Sequence, residues 1–333
     1  MNQSHDERPR SRPGACAAPE RVPPHRPRVA QDPWRTAAAG RDGGSAAAAS
    51  AQACRRWPAL PALGVGLAAL LAAAPCFAGA WVQDDGATLA ILKASHADDG
   101  SVYTDSGRRT HFPDGGRSRQ DQLNLYIEYG LNADLTAIGN FYVTEAAYRS
   151  DTFRGRTRGP ADQEMGLRYR LDPDGGDGPW QGAVQALLSV PAYDRDDQPA
   201  LGLGDYGLEL RYSVGRGYTL GGLDAYVDAG AAVRLRGGSA ADEARLDVSS
   251  GVALAPRWML IGEANAIQGL GNGSGRNPTN FIDTTDYDLT KLQLSLLHTL
   301  PGGTQLQLGY QQPVAGRNTG GAGGPFAAAW WRF

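Results

Sequence analysis

Beyond its first quarter the sequence lacks cysteine and contains little lysine. The three cysteines are Cys16, Cys54 and Cys76. Residues 81–333 therefore cannot form disulfides or thiolate metal sites. The same region contains only two lysines, Lys93 and Lys291. The polar face of a soluble β-sandwich is typically rich in lysine, so this scarcity argues against that class of fold.

Long apolar runs are also missing after residue 80, and no segment there has the periodicity of an amphipathic helix. A membrane-spanning helix needs about 20 consecutive apolar residues, so helical spans are excluded from this region. Residues 81–333 carry 22 basic and 30 acidic residues. An acidic chain lacks the basic face that neutralises phosphates, so nucleic acid is not an expected partner.

Residues 1–54 are rich in proline, arginine and alanine and show no apolar periodicity. Two interpretations stay open for this segment. It forms a disordered extension, or translation starts later and the segment is not made.

A secretory signal peptide is predicted at residues 55–80. Arg55-Arg56 precede a short apolar run over 60–74, and the tripeptide Ala78-Gly79-Ala80 follows it. A basic segment, a short apolar segment and an A-x-A site in this order are typical of signal peptides. Cleavage after Ala80 would leave Trp81 as the first residue of the mature protein, which is predicted to span residues 81–333.

The mature region contains segments of about ten residues in which apolar and polar side chains alternate, as in the wall of a membrane β-barrel. In the clearest segment Leu123, Leu125, Ile127 and Tyr129 share one face, and polar residues occupy the other. Twelve segments are predicted, at 84–95, 119–130, 135–148, 163–171, 180–190, 203–214, 222–234, 241–254, 258–267, 286–300, 304–314 and 325–333. The connections after even-numbered segments are short, and most of the others are longer and more polar.

This alternation predicts an all-β fold, an antiparallel up-and-down transmembrane β-barrel of about 12 strands. We expect it in the outer membrane of a Gram-negative bacterium, with the short turns and both termini on the periplasmic side. Aromatic residues near the short turns are predicted to form an interfacial girdle. These are Tyr129, Tyr169, Trp180, Tyr212, Trp258, Trp330 and Trp331.

The last strand carries a predicted assembly signal. Phe333, Trp331, Ala329 and Ala327 share one face, and the chain ends on an aromatic residue. An exposed aromatic end is a liability on a soluble sheet edge, but it suits a membrane interface. Bacterial outer-membrane proteins resemble this pattern, with a terminal Phe that the assembly machinery recognises. Phe333 and Trp331 are therefore the predicted signal, and the expected partners are this machinery and outer-membrane lipid.

Three segments resemble a known family. The segment 128–136, the segment 204–212 and the block 226–264 are similar to outer-membrane proteins of the family named for the MetA pathway of phenol degradation. This resemblance implies a channel or transporter for small compounds that are often aromatic or apolar. It transfers no site residue onto this sequence.

Charged residues on the inward parity of the central strands are the candidates for lining the lumen. The candidates are Glu164, Arg168, Arg170, Asp205, Glu209, Arg211, Asp228, Glu243, Arg245 and Asp247. One interpretation is a polar constriction along a solute path. The other is a cross-strand ladder that neutralises itself and fills the barrel. Barrels of eight strands pack solid and those of 16 or more leave a channel, so twelve strands allow either.

Catalytic and cofactor sites are not indicated. His96 and His111 are expected in the first long loop, whereas His298 shares the outward parity of Leu292 and Leu296. A nucleophile, a base and an orienting group must lie within hydrogen-bond contact, and the sequence does not predict such a grouping. The aspartates of 172–177 lack the spacing of a calcium loop, and the glycines of 269–275 lack the residues of a phosphate loop. No enzyme activity, cofactor or metal is expected.

These observations favour a function in passive passage or uptake of a small solute, for which the resemblance points to aromatic or apolar compounds. The alternative is a closed barrel with a structural role or with ligand binding by its loops. An outer-membrane hydrolase is the third possibility.

Overall fold

The computed structural model describes residues 79–194, 196–275 and 284–333, which form an antiparallel β structure. The strands are β1 (Thr88–Asp99), β2 (Ser101–Tyr103), β3 (Arg109–His111), β4 (Arg117–Asn132), β5 (Leu135–Arg149), β6 (Arg154–Pro160), β7 (Asp162–Arg170), β8 (Gln181–Pro191), β9 (Gly207–Leu220), β10 (Leu223–Arg236), β11 (Glu243–Ala255), β12 (Trp258–Gly269), β13 (Asp288–Thr299), β14 (Gln305–Arg317), β15 (Thr319–Gly320) and β16 (Gly324–Arg332), with a short 3-10 helix at Pro113–Gly115. Within the described ranges, no helix is long and apolar enough to cross a membrane. The predicted extension at 1–54 and most of the predicted signal peptide lie outside these ranges.

Twelve of the strands close into a barrel. Each of them pairs with its neighbour along the chain, and β1 pairs with both β4 and the last strand, β16. Backbone bonds in both directions between Thr88 and Phe333 complete the closure at 3.1 and 3.0 Å. A closed ring leaves no unpaired sheet edge to face lipid. The prediction of a twelve-stranded antiparallel barrel is confirmed.

The two ends of the barrel differ. Two residues each join β4 to β5, β9 to β10 and β11 to β12. We call this the short-turn end, and we call the opposite end the long-loop end. At the long-loop end β6 continues the hairpin with β5 beyond the ring, and β15, β2 and β3 form a separate three-stranded sheet. In outer-membrane barrels the short turns face the periplasm and the longer loops face outward.

The outward face is the apolar one, as the alternation predicted. Leu123, Leu167, Leu210, Leu294 and Leu308 are among the exposed large apolar side chains. On a soluble protein this surface would be an aggregation hazard, whereas on a barrel it contacts lipid.

Some boundaries differ from the predicted ones at the rims. The first strand was predicted at 84–95 but covers Thr88–Asp99, so that His96 lies in this strand rather than in a loop. Strand β9 extends to Leu220, six residues beyond its predicted end. The three short strands β2, β3 and β15 were not predicted. They lie outside the lipid-facing wall, where alternation no longer distinguishes two faces.

An apolar cluster lies inside the barrel towards the short-turn end. Leu89, Tyr226, Met259, Ile261, Leu297, Ala328 and Trp330 are its buried members. The prediction that Trp330 belongs to the outward girdle is wrong, because Trp330 is only 7% exposed and points inward. It has the opposite parity to Trp331 and Phe333, which stay on the outward face.

Candidate functional site

The lumen wall carries a continuous ladder of ion pairs with Glu209 at its centre. Arg234 joins Glu209 to Glu164, with N–O distances of 2.8 and 2.6 Å. Arg211 donates to Glu209 over 2.9 Å and also pairs with Asp247. The alternation of β7, β9, β10 and β11 places these side chains on one inner surface, where opposite charges face each other across neighbouring strands.

The ladder continues towards the long-loop end. Arg245 lies 3.4 Å from Glu209 and 2.5 Å from Glu243, and Arg236 pairs with Glu243 at 2.7 Å. Glu209 and Glu243 are 2% and 1% exposed. A buried carboxylate without a partner would be costly, so each cation is required by the acids around it.

Of the ten predicted lumen residues, six belong to the ladder and four lie elsewhere. Glu164, Glu209, Arg211, Glu243, Arg245 and Asp247 belong to the ladder. Arg168 and Asp228 contact the N-terminal segment described below. Arg170 pairs with Asp134 at 3.3 Å in the β4–β5 turn. Asp205 lies before β9 and accepts a 2.8 Å hydrogen bond from the Ala240 amide, which links two outer loops.

Residues 79–84 enter the lumen from the short-turn end, and we call this segment the plug. The Ala80 amide donates to Asp228 over 2.9 Å. Arg168 donates to the Trp81 carbonyl over 2.9 Å, and the Trp81 ring meets Tyr226 edge to face at 6.4 Å. A turn at 84–87 then leads into β1, with the Ala87 amide bonded to the Asp84 carbonyl.

A buried polar group anchors the plug to the wall. Glu128 is fully buried and accepts from Arg168 at 2.7 Å, from Gln83 at 2.5 Å and from Tyr126. The Gln83 backbone N–H also donates to the Thr136 hydroxyl over 2.8 Å. Hydrogen bonds to ionised groups are stronger than neutral ones, so this anchor fixes the plug at one position on the β4–β5–β7 wall.

Two glycines of the wall make room for the plug. A Cβ atom at Gly215 of β9 would collide with the Trp81 ring, and a Cβ atom at Gly130 of β4 would collide with the Asp84 carbonyl. Both positions face inward, where any larger side chain would displace the plug. Together with the apolar cluster, against which Trp81 packs as a partly buried member, the plug fills part of the lumen at its short-turn end.

On the long-loop side of the ladder the lumen opens into a cavity of about 340 Å³. Its lining includes Arg234, Arg236 and Arg245 together with Tyr142, Tyr287 and Leu201. Pockets for small molecules typically begin at about 300 Å³ and combine apolar walls with a few polar groups. This cavity therefore has the size of a small-molecule site, with a lining that is mainly polar.

Several lumen residues were missed by the sequence analysis. Arg234 and Arg236 were not selected, although they share the inward parity of Asp228 on β10. The two lysines were likewise not assigned to the lumen. Lys93 donates to Gln293 over 3.0 Å and lies 4.0 Å from the Phe326 ring centre. These residues could have been found by assigning every second residue of each strand to the lumen. The plug has no such alternation, so no pattern in the sequence indicated it.

The predicted histidines do not enter the lumen site. His96 lies on the outward face and pairs with Asp121 at 2.6 Å, directly across from it on β4. His298 stacks on Trp258 with ring centres 4.1 Å apart, at the outward girdle.

In the outer loops, burial and the nearby Asp162 carboxylate raise the pKa of Tyr193 well above its usual range. Tyr193 therefore stays protonated and donates to Asp162 over 3.1 Å.

No protein-family model and no curated protein match the chain. Among solved structures, an outer membrane channel from Pseudomonas putida F1 is similar with a TM-score of 0.54 and 18% identity, over 76% of this chain and 97% of that one. The fold is that of a bacterial outer-membrane barrel. The β-domain of the Bordetella autotransporter BrkA (TM-score 0.42, 14% identity, 75% and 100% covered) and the NanC porin (0.41, 8%, 72% and 98%) are more distant.

Proposed function

We propose that the protein is an outer-membrane channel for a small solute, with the plug as its gate. The observation that carries this proposal is that the lumen is filled at its short-turn end by a chain segment and not only by wall side chains. The long-loop side holds a cavity with a mixed lining, and the short-turn side is closed in part by a chain segment that belongs to no strand. A segment of this kind can move without opening the barrel wall.

The contacts of the plug fit a reversible closure. They consist of a few hydrogen bonds and one aromatic side chain. Most of these hydrogen bonds have an ionised partner, for which a net contribution of about 1.5–3 kcal/mol is typical. The closed state is then favoured by several kcal/mol, and opening is a minority event. A solute that replaces some of these contacts would shift the population towards the open state.

Two further observations support a channel. The Pseudomonas putida protein with the similar fold is described as an outer membrane channel, and it belongs to the MetA-pathway family that the sequence motifs resemble. Membership of the present chain in that family is part of the proposal. The tyrosines and leucine of the cavity, beside its arginines, favour a small solute with an aromatic or apolar part and a polar group.

Liposome swelling tests the proposal. Liposomes that contain the folded protein are moved into isotonic solutions of small sugars and of small aromatic solutes, and their swelling is compared with that of protein-free liposomes. Faster swelling that declines with solute size is expected. If swelling never exceeds that of the protein-free liposomes, the barrel is closed and its role lies in structure or in its loops.

A further inference from the structure

The outward face of β1, β4, β5 and β6 changes abruptly from apolar to charged near the long-loop end. Residues directly opposite each other on paired strands share a face. The last apolar row consists of Ala94, Leu123, Val143 and Pro160. The next row on the same face, about 7 Å further along the strands, consists of His96, Asp121, Glu145 and Arg158.

Two more rows follow, and they are dominated by arginine. The registry places Asp98, Arg119, Ala147 and Arg156 in one row, and Arg117, Arg149 and Arg154 in the last. Six arginines and three carboxylates therefore share this outward surface, which we call the arginine face. It lies directly beyond the lipid-facing band, at the level where lipid headgroups begin.

Half of these arginines form no close ion pair, and of these Arg158 lies directly opposite Glu145 and acts on it at longer range. Arg117 pairs with Asp98, Arg119 with Asp121 and Arg156 with Glu145, at 2.5 to 2.8 Å.

Among the described residues, no ion pair involves Arg149, Arg154 or Arg158, and all three side chains are exposed. An internal salt-bridge network would balance its charges, so the excess of positive charge indicates an external anion.

We propose that the arginine face binds the phosphate groups of glycolipids in the outer leaflet. The long loops of such barrels face outward, so this surface meets the outer leaflet rather than the periplasmic one. The guanidinium group binds phosphate with two parallel hydrogen bonds. Clusters of basic side chains beside the apolar band are the usual means by which membrane proteins hold anionic headgroups. The face thereby fixes the depth and rotation of the barrel among its lipids.

The test compares one glycolipid in two forms. The purified full chain in detergent is titrated with a bis-phosphorylated diglucosamine lipid and with the same lipid after phosphatase treatment, and bound lipid is counted by native mass spectrometry. The phosphorylated form is expected to bind at least about tenfold more tightly. Equal affinity for the two forms would overturn the proposal. So would displacement by inorganic phosphate at matched concentration, which would indicate a site for free phosphate.

Paired variants locate the site. Arg154→Gln/Arg158→Gln removes two exposed arginines of β6, which lies outside the closed ring. Arg108→Gln/Arg257→Gln removes two exposed arginines from a loop and a short turn and serves as the control of equal charge. The first variant is expected to lose the preference for the phosphorylated lipid, and the second to keep it. Heat-modifiable mobility on gels confirms that each barrel is folded. Retention of the preference by the β6 variant would contradict the assignment.

Discussion

Arg168 is the residue that connects the plug with the barrel wall. Its guanidinium contacts the Trp81 carbonyl, Glu128 and Gln185, and it is only 2% exposed. Since Glu128 is fully buried, it depends on this cation to offset its lost hydration. Arg168 thus contributes to the stability of the wall through Glu128 and to the position of the plug through the Trp81 carbonyl.

Loss of either partner should destabilise the barrel, and loss of both should cost less than the sum. Arg168→Met leaves a buried carboxylate unpaired, which typically costs about 3 kcal/mol or more. Glu128→Gln/Arg168→Met removes that penalty. Urea unfolding in lipid vesicles measures the free energy of unfolding of Arg168→Met, of Glu128→Gln and of the double variant, each relative to the unchanged protein. Strictly additive effects of the two substitutions would show that the pair does not act as a unit.

Gly215 tests the closure with the smallest possible change. Gly215→Ala adds one methyl group where the Trp81 ring lies, so the ring must move away and the open state should become more frequent. Gly262→Ala is the matched control, because a Cβ atom there meets no neighbour within 4 Å. Single-channel recording should show a higher open probability for the first variant alone. Identical recordings for both variants would place Trp81 outside the gate.

At the scale of single residues, sequence reasoning depends on parity. Parity correctly assigns Leu123 or Glu209 to a face, because lipid and lumen select opposite side chains along a strand. It identifies the face of a residue but not its partner, so the three-way pairing of Glu209 could not be predicted. Trp330 was assigned to the girdle because of its position near the end of a strand, although its parity places it inward.

At the scale of elements, all twelve barrel strands were predicted, while the elements beyond the lipid band were not. Strand β6 lies beyond the closed ring, where nothing imposes alternation between lipid and lumen. The plug was missed for a related reason. It is aperiodic, so alternation gave no sign of it, and its first two residues lie within the predicted signal peptide, which stays a prediction.

Strand β16 carries the prediction about assembly. Phe333 is 79% exposed on the outward face, and its backbone pairs with Thr88 to complete the ring. Phe333→Ala should reduce the amount of folded barrel in the outer membrane, because the terminal aromatic is the predicted assembly signal. Leu308→Ala removes a lipid-facing side chain of similar exposure from β14 and should have little effect. Gels with and without heating measure the folded fraction. Equal folded fractions in the two variants would contradict this role.

At the scale of the whole molecule, the barrel has three levels along its axis. The long-loop end holds the cavity, the middle holds the ion-pair ladder, and the short-turn end holds the apolar cluster with the plug. The two interpretations of the inward charges are therefore compatible. The ladder lies against the wall and stabilises it, while the plug is the part of the closure that we propose to move.

Single-channel conductance of a variant lacking residues 81–84 tests the central claim most directly. This deletion leaves the predicted cleavage tripeptide and all sixteen strands in place. The intact protein should show rare, brief openings in planar bilayers. The folded variant should show frequent openings of larger conductance, because cleavage at the predicted site also removes residues 79 and 80 and no plug residue then remains in the lumen. A folded variant that conducts no better than the intact protein would contradict the claim that the plug gates the channel.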